Sequence, residues 1–156
     1  MKKLHLLLLI IVTLAIGITV KAVGQTKKDT TQKIYINGKG GIHDHGGTKL
    51  GYIDKNNMVR DNTGKELYFI DKAGNVIGSD GRKLGTAKKN GSYYNIDGEN
   101  VLNTKDIDKD KCAILDPQGH SFGTAHKNYK LHACAAHCYW LMKAKEKAVK
   151  KSQSFN

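Results

Sequence analysis

The chain has 156 residues, with 17 glycines, one proline, 7% aromatic and 39% hydrophobic residues, and a formal net charge of +12. That length holds one ordinary domain. So much glycine with so few aromatics argues against a helical bundle, and the hydrophobic share is too high for a disordered polymer. The charge is uneven. Residues 25–125 carry sixteen Lys or Arg against thirteen Asp or Glu, whereas from His126 onward seven lysines face only Glu146. The basic character therefore reads as a C-terminal property. A lysine-rich tail of this kind keeps a helix soluble, or makes weak contact with anionic surfaces.

Lys2 and Lys3 precede an apolar run over residues 4–20, and Ala22 and Gly24 put small residues at −3 and −1 from Gln25. This is the layout of a secretory signal peptide over 1–24, with cleavage expected before Gln25. The alternative is an uncleaved anchor, since the run is near the lower limit for spanning a bilayer. The expected location is outside the cytoplasm, periplasmic or extracellular. Nucleic acid is then a poor choice of partner. Residues 25–33 are polar and read as a flexible segment.

Residues 34–125 are internally repetitive. Gly47, Gly64, Gly81 and Gly98 are each seventeen apart, and Gly119 follows after twenty-one. Five residues before these glycines stand Ile42, Val59, Val76, Tyr93 and Ile114; three after them stand Leu50, Leu67, Leu84, Val101 and Phe122. Eleven before the first four stand Ile36, Ile53, Ile70 and Ala87, and Ile107 holds the same column one residue out of step. Turn signals such as Asp71-Lys72-Ala73-Gly74 separate short apolar segments. One such hairpin cannot bury its apolar face alone, but five that close on themselves can, and closure removes bare strand edges. The fold class expected is all-β: five short β-hairpin repeats of about 17 residues, closing into a flower- or barrel-like body.

Units such as Gly51-Tyr52-Ile53-Asp54 followed by Val59-Arg60-Asp61-Asn62-Thr63-Gly64 resemble the 5-fold beta-flower family of bacterial secreted proteins. The resemblance spans residues 34–125 and implies a five-unit fold. It brings no catalytic residues.

Residues 126–150 read as a C-terminal amphipathic helix, followed by a tail over 151–156. Leu131, Cys134, Cys138, Leu141 and Met142 recur at helical spacing, which predicts a lid laying this stripe on the β body. Within it, His132, Cys134, His137 and Cys138 form a weak metal-ligand pattern, with thiolate and imidazole at i, i+3 and i+4. Against it, cysteine within an apolar stripe behaves as a small hydrophobe. Three cysteines are an odd number for an exported chain, and Cys112 is the better partner for Cys134 or Cys138 if a bridge forms, because neighbours one helical turn apart would strain it.

Asp106-Ile107-Asp108-Lys109-Asp110 begins like a calcium loop but has Lys111 where glycine is needed and Pro117 where the bidentate acid is needed. His43, His45, His120 and His126 fall at turns of the first and fifth units, which closure would bring side by side. No phosphate loop or nucleophile motif is present. The expected function is a non-enzymatic binding or structural module with no cofactor. Its partner is an extracytoplasmic protein or a glycan, with protein slightly preferred. The alternative is a metal-binding or thiol-redox protein using the His/Cys cluster.

Overall fold

The computed structural model describes residues 33–154. The expected signal peptide, all but the last residue of 25–33, and residues 155–156 lie outside it. Eleven strands follow one another: β1 Ile34–Ile36, β2 Gly41–Asp44, β3 Lys49–Ile53, β4 Met58–Asp61, β5 Glu66–Ile70, β6 Asn75–Gly78, β7 Lys83–Ala87, β8 Tyr93–Tyr94, β9 Asn100–Asp106, β10 Lys111–Leu115 and β11 Ser121–His126. A 3₁₀ turn, Lys127–Tyr129, leads into one helix, α1, Lys130–Gln153.

The strands form a closed barrel in which each pairs antiparallel with its neighbours in sequence. An odd number of alternating strands leaves the first and last running the same way, so the seam must be parallel. It is: Ile34, Tyr35 and Ile36 of β1 pair in parallel with Gly123, Thr124 and Ala125 of β11. Gly123 has φ +134°, and a Cβ there would overlap the Ile34 carbonyl. Only glycine lets the two seam strands approach this closely.

Alternation also sorts the connections between two rims. The turn after β11 leads into α1 from one of them, here the near rim, shared with the turns after β1, β3, β5, β7 and β9. The far rim carries the turns after β2, β4, β6, β8 and β10. Each far-rim turn contains a glycine with φ between +79° and +91°, namely Gly47, Gly64, Gly81, Gly98 and Gly119. In each, the glycine N–H donates to the carbonyl three residues back, as Gly64 does to Asp61 at 3.1 Å. Register shifts follow Ile42, Val59, Val76, Tyr93 and Ile114, one on each far-rim hairpin. Such bulges bend and twist strands, which favours closure.

Those five residues are buried, as are Ile36, Ile53, Ile70 and Ala87, while Leu50, Leu67, Leu84, Val101 and Phe122 are half-buried against them. Ile107 departs from expectation. It is 58% exposed, in the turn between β9 and β10. The four extra residues of the fifth spacing lengthen this hairpin on both strands: Ala113 pairs with Lys105 and Cys112 with Asp106, beyond the Ile114–Thr104 pair. Cys112 fills the core and Ile107 is carried out to the tip.

The helix is not a lid. Six consecutive residues, His132 to His137, are all buried. At 100° per residue, six residues cover every direction around a helix, so α1 is enclosed rather than laid on a surface. It meets β1, β7, β9, β10 and β11, and Tyr139 packs at a tilt against Tyr68 of β5, 5.1 Å between ring centroids. Side chains alone fill an eight-stranded barrel, whereas eleven strands leave a wider lumen. Here α1 fills it, and Ala133, Ala135 and Ala136 keep its girth small. At about 1.5 Å per residue the helix spans about 36 Å, more than the height of strands this short. Its second half therefore projects beyond the far rim, where residues 144–154 are exposed.

Candidate functional site

The projecting helix divides the far rim into two grooves. One, of about 760 Å³, lies against the β7–β9 side, with Leu84, Tyr93 and Val101 on the barrel wall and Cys138, Leu141, Met142 and Val149 on the helix. Lys145, Glu146 and Lys150 edge it. The other, of about 510 Å³, runs under Trp140 between Leu50 and Leu67 and is bordered by Lys49, Asp61, Lys65, Glu66, Lys143 and Lys147. Both exist because α1 is longer than the barrel is tall. Leu84 and Val101 are expected as core positions; they become groove wall because they sit where the helix leaves the lumen. Val149 was not singled out in the sequence, although the four-residue spacing Leu141, Lys145, Val149 points to it.

The His/Cys constellation does not converge on one point of α1. Cys134 and Cys138 lie about 40° apart at 100° per residue, whereas His132 is on the opposite side. His137 faces β11, its ring 5.0 Å from that of Phe122. Among the described residues no three His, Cys, Asp or Glu side chains converge on a point that could hold a metal ion. All three thiols are free, and no bridge joins Cys112 to Cys134 or Cys138. Cys112 Sγ donates to the Ala125 carbonyl at 3.4 Å, and Cys134 Sγ to Gly91 at 3.2 Å.

Burial sets the protonation of this region. It pushes the Cys138 thiol up to about 12 and raises Cys134 and Cys112 as well, so all three stay protonated at neutral pH. A protonated thiol is a poor nucleophile and a poor metal ligand. Burial also lowers His132 and His137 to about 4. Both rings are neutral, and His132 Nδ1 and Nε2 and His137 Nδ1 have no hydrogen-bond partner among the described residues.

The turn histidines do not cluster. His45 and His120 are on the far rim, where His120 Nδ1 lies 2.8 Å from Asp116 Oδ2. His126 is at the near rim, its Nδ1 accepting from the Asn128 N–H at 3.2 Å. Asp106 pairs with Lys127 at 3.2 Å and Lys130 at 2.9 Å, and Asp108 accepts from the Asp110 and Lys111 N–H groups. These acids serve the turn and the start of α1.

Comparison with protein families, curated proteins and solved structures gives no match. Among the described residues no helix is long and apolar enough to cross a membrane.

Proposed function

We propose that the protein is an exported, non-enzymatic binding module, built from five copies of one hairpin unit repeating every seventeen residues until the longer fifth. The five far-rim glycines with positive φ and the five bulges at matching positions support the five-unit reading. They likewise favour the resemblance to 5-fold beta-flower proteins. The observation that carries the binding function is the aliphatic groove of about 760 Å³ between the projecting helix and the β7–β9 wall. Its one thiol, Cys138, is held protonated by burial and is a poor nucleophile.

A protein segment suits this groove better than a glycan. Sugars stack on free aromatic faces, but among the described residues the one aromatic side chain lining this groove is Tyr93, which is 4% exposed. With Lys145 and Lys150 against Glu146 at its edge, the groove fits a segment of apolar side chains flanked by acidic residues. The test is a photo-crosslinking residue at Val149, which is 55% exposed, with a control on the outer wall at Phe69, both in the native host. The expected result is one discrete adduct at Val149, lost when Leu141→Asp is added. No adduct, or the same adduct from Phe69, would overturn the reading.

A further inference from the structure

The modest net charge of the body conceals a separation between its two rims. Around the near rim, the turns, the residue on either side of each and the start of α1 hold nine lysines against five aspartates. Around the far rim the five turns and the same flanks hold four basic residues against seven acids, and only the projecting half of α1, with five lysines and Glu146, is basic at that end. The near-rim excess is organised. Each of its five turns presents an exposed lysine, Lys39, Lys55, Lys72, Lys89 and Lys109, and among the described residues none of them is in an ion pair. The aspartates beside them are turned to other work. Asp54 Oδ1 accepts from the Asn56 and Met58 N–H groups and its Oδ2 from Arg60, while Asp71 Oδ1 accepts from Ala73 and Asn75.

A second observation points the same way. The β9–β10 hairpin extends two residue pairs past its Ile114–Thr104 pair, about 7 Å of strand. At its tip Ile107 is 58% exposed, between Asp106, which is paired with Lys127 and Lys130, and Asp108, which accepts from the Asp110 and Lys111 N–H groups, with Lys105, Lys109 and Lys111 alternating with these acids. An aliphatic side chain at the end of a protruding turn has no partner in the fold.

We infer that the near rim is a docking face for an anionic lipid surface, with the five turn lysines over phosphate headgroups and Ile107 inserted at the interface. Short turns hold Lys39, Lys55, Lys72 and Lys89 in a ring at one end of the barrel, and the longer β9–β10 hairpin carries Lys109 and Ile107 outward, so a surface meets the hairpin tip first and the ring behind it. A single polymer strand would reach only some of them. Each lysine near such a surface and the burial of one isoleucine contribute modestly and additively, giving reversible adhesion that salt weakens. The inference rests on the reading of a binding module outside the cytoplasm. It uses the opposite rim from the groove, so the vesicle experiment and the Val149 crosslink can fail independently.

The experiment is sedimentation of the mature chain with vesicles of phosphatidylcholine containing phosphatidylglycerol, and with vesicles of phosphatidylcholine alone, at low and high salt. Partitioning is expected only onto the anionic vesicles at low salt. The triple substitution Lys55→Gln, Lys72→Gln, Lys89→Gln should lower it about 100-fold. Ile107→Ser should lower it about tenfold. Lys145→Gln with Lys147→Gln and Lys150→Gln, on the projecting helix, should leave it nearly unchanged. The inference is overturned if the neutral vesicles bind equally, if neither binds, or if the helix substitutions abolish binding while the turn substitutions do not. It is also overturned if soluble polyphosphate binds through the turn lysines while the vesicles do not. Circular dichroism of each variant checks that these exposed substitutions leave the fold intact.

Discussion

The two halves of α1 are one continuous helix in two different environments. From Lys130 to Met142 it is rich in Ala and Cys, enclosed on every side over its first turns, and touches strands around the ring. From Lys143 onward it carries five lysines and one glutamate, and nearly every residue is exposed. The division runs along the helix, not around it. Burial in this protein depends on how far a residue lies from the near rim more than on which face of the helix it occupies.

Removing each half is the strongest way to break that comparison. Ending the chain before Lys143 should cost less than about 1 kcal/mol, because only exposed side chains and partial groove contacts are lost. Ending it before Leu131 should abolish folding, since it empties the lumen of a domain whose whole stability is about 5–15 kcal/mol. Thermal unfolding of the two truncations reads this directly.

Mild acid acts on the buried half through two histidines. His132 and His137 hold their protons with values of about 4 in the folded chain, against an ordinary value near 6.5. Between those values the unfolded chain binds more protons, so the stability these neutral rings confer is complete above pH 6.5. It falls as pH drops from 6.5 to 4 and changes no further below that. Over that whole range each ring accounts for about 3 kcal/mol, of which about 2 is lost by pH 5, so together they should remove about 4 kcal/mol there, a large share of an ordinary domain's stability. Urea midpoints at pH 8, 6 and 5 should drop steeply, and His132→Phe should remove about half of the loss. A flat series would mean the rings are solvated or paired.

Smaller contrasts come from matched substitutions. Ala133→Leu should cost about 1–3 kcal/mol by overpacking the lumen, whereas Ala144→Leu on the projecting half should fall within about 0.5 kcal/mol. Lys143→Ala should change stability least. Its partner Glu146, at 2.9 Å, is as exposed as it is, and pairs of that kind contribute about 0–1 kcal/mol.

Much of the barrel was legible because strands and turns write their geometry locally. A glycine at Gly64 or Gly81 is needed for a positive φ, and the apolar residues five before and three after it alternate faces as strands must. Closure was also foreseen, from the inability of a single hairpin to cover itself. The fifth hairpin was misread because a spacing of twenty-one shows four added residues but not whether they lengthen a turn or two strands. They lengthened the strands, and Ile107 left the core. The helix was misread for a different reason. Alanine and cysteine carry little hydropathy, so a wheel centred on Leu131, Leu141 and Met142 shows one apolar face and hides the burial of Ala133 and Ala136. The four His and Cys ligand candidates look adjacent in sequence, but Cys134 and Cys138 face the β7–β9 side, His137 faces Phe122 of β11, and His132 lies on the opposite side of the helix from Cys134. The grooves have no sequence signature, because they arise from the mismatch between helix length and barrel height.

Ala136 decides between a helix inside the barrel and a helix on top of it. It lies on the side of α1 away from Leu131, Cys134, Cys138, Leu141 and Met142, so a lid would leave it in solvent. The structure leaves it 0% exposed. The direct measurement is urea unfolding of Ala136→Lys beside the parent chain. A helix enclosed by the barrel predicts a loss of about 4 kcal/mol or more, up to failure to fold, because a lysine charge cannot be accommodated there. A loss within about 0.5 kcal/mol would place that face in water and contradict the account.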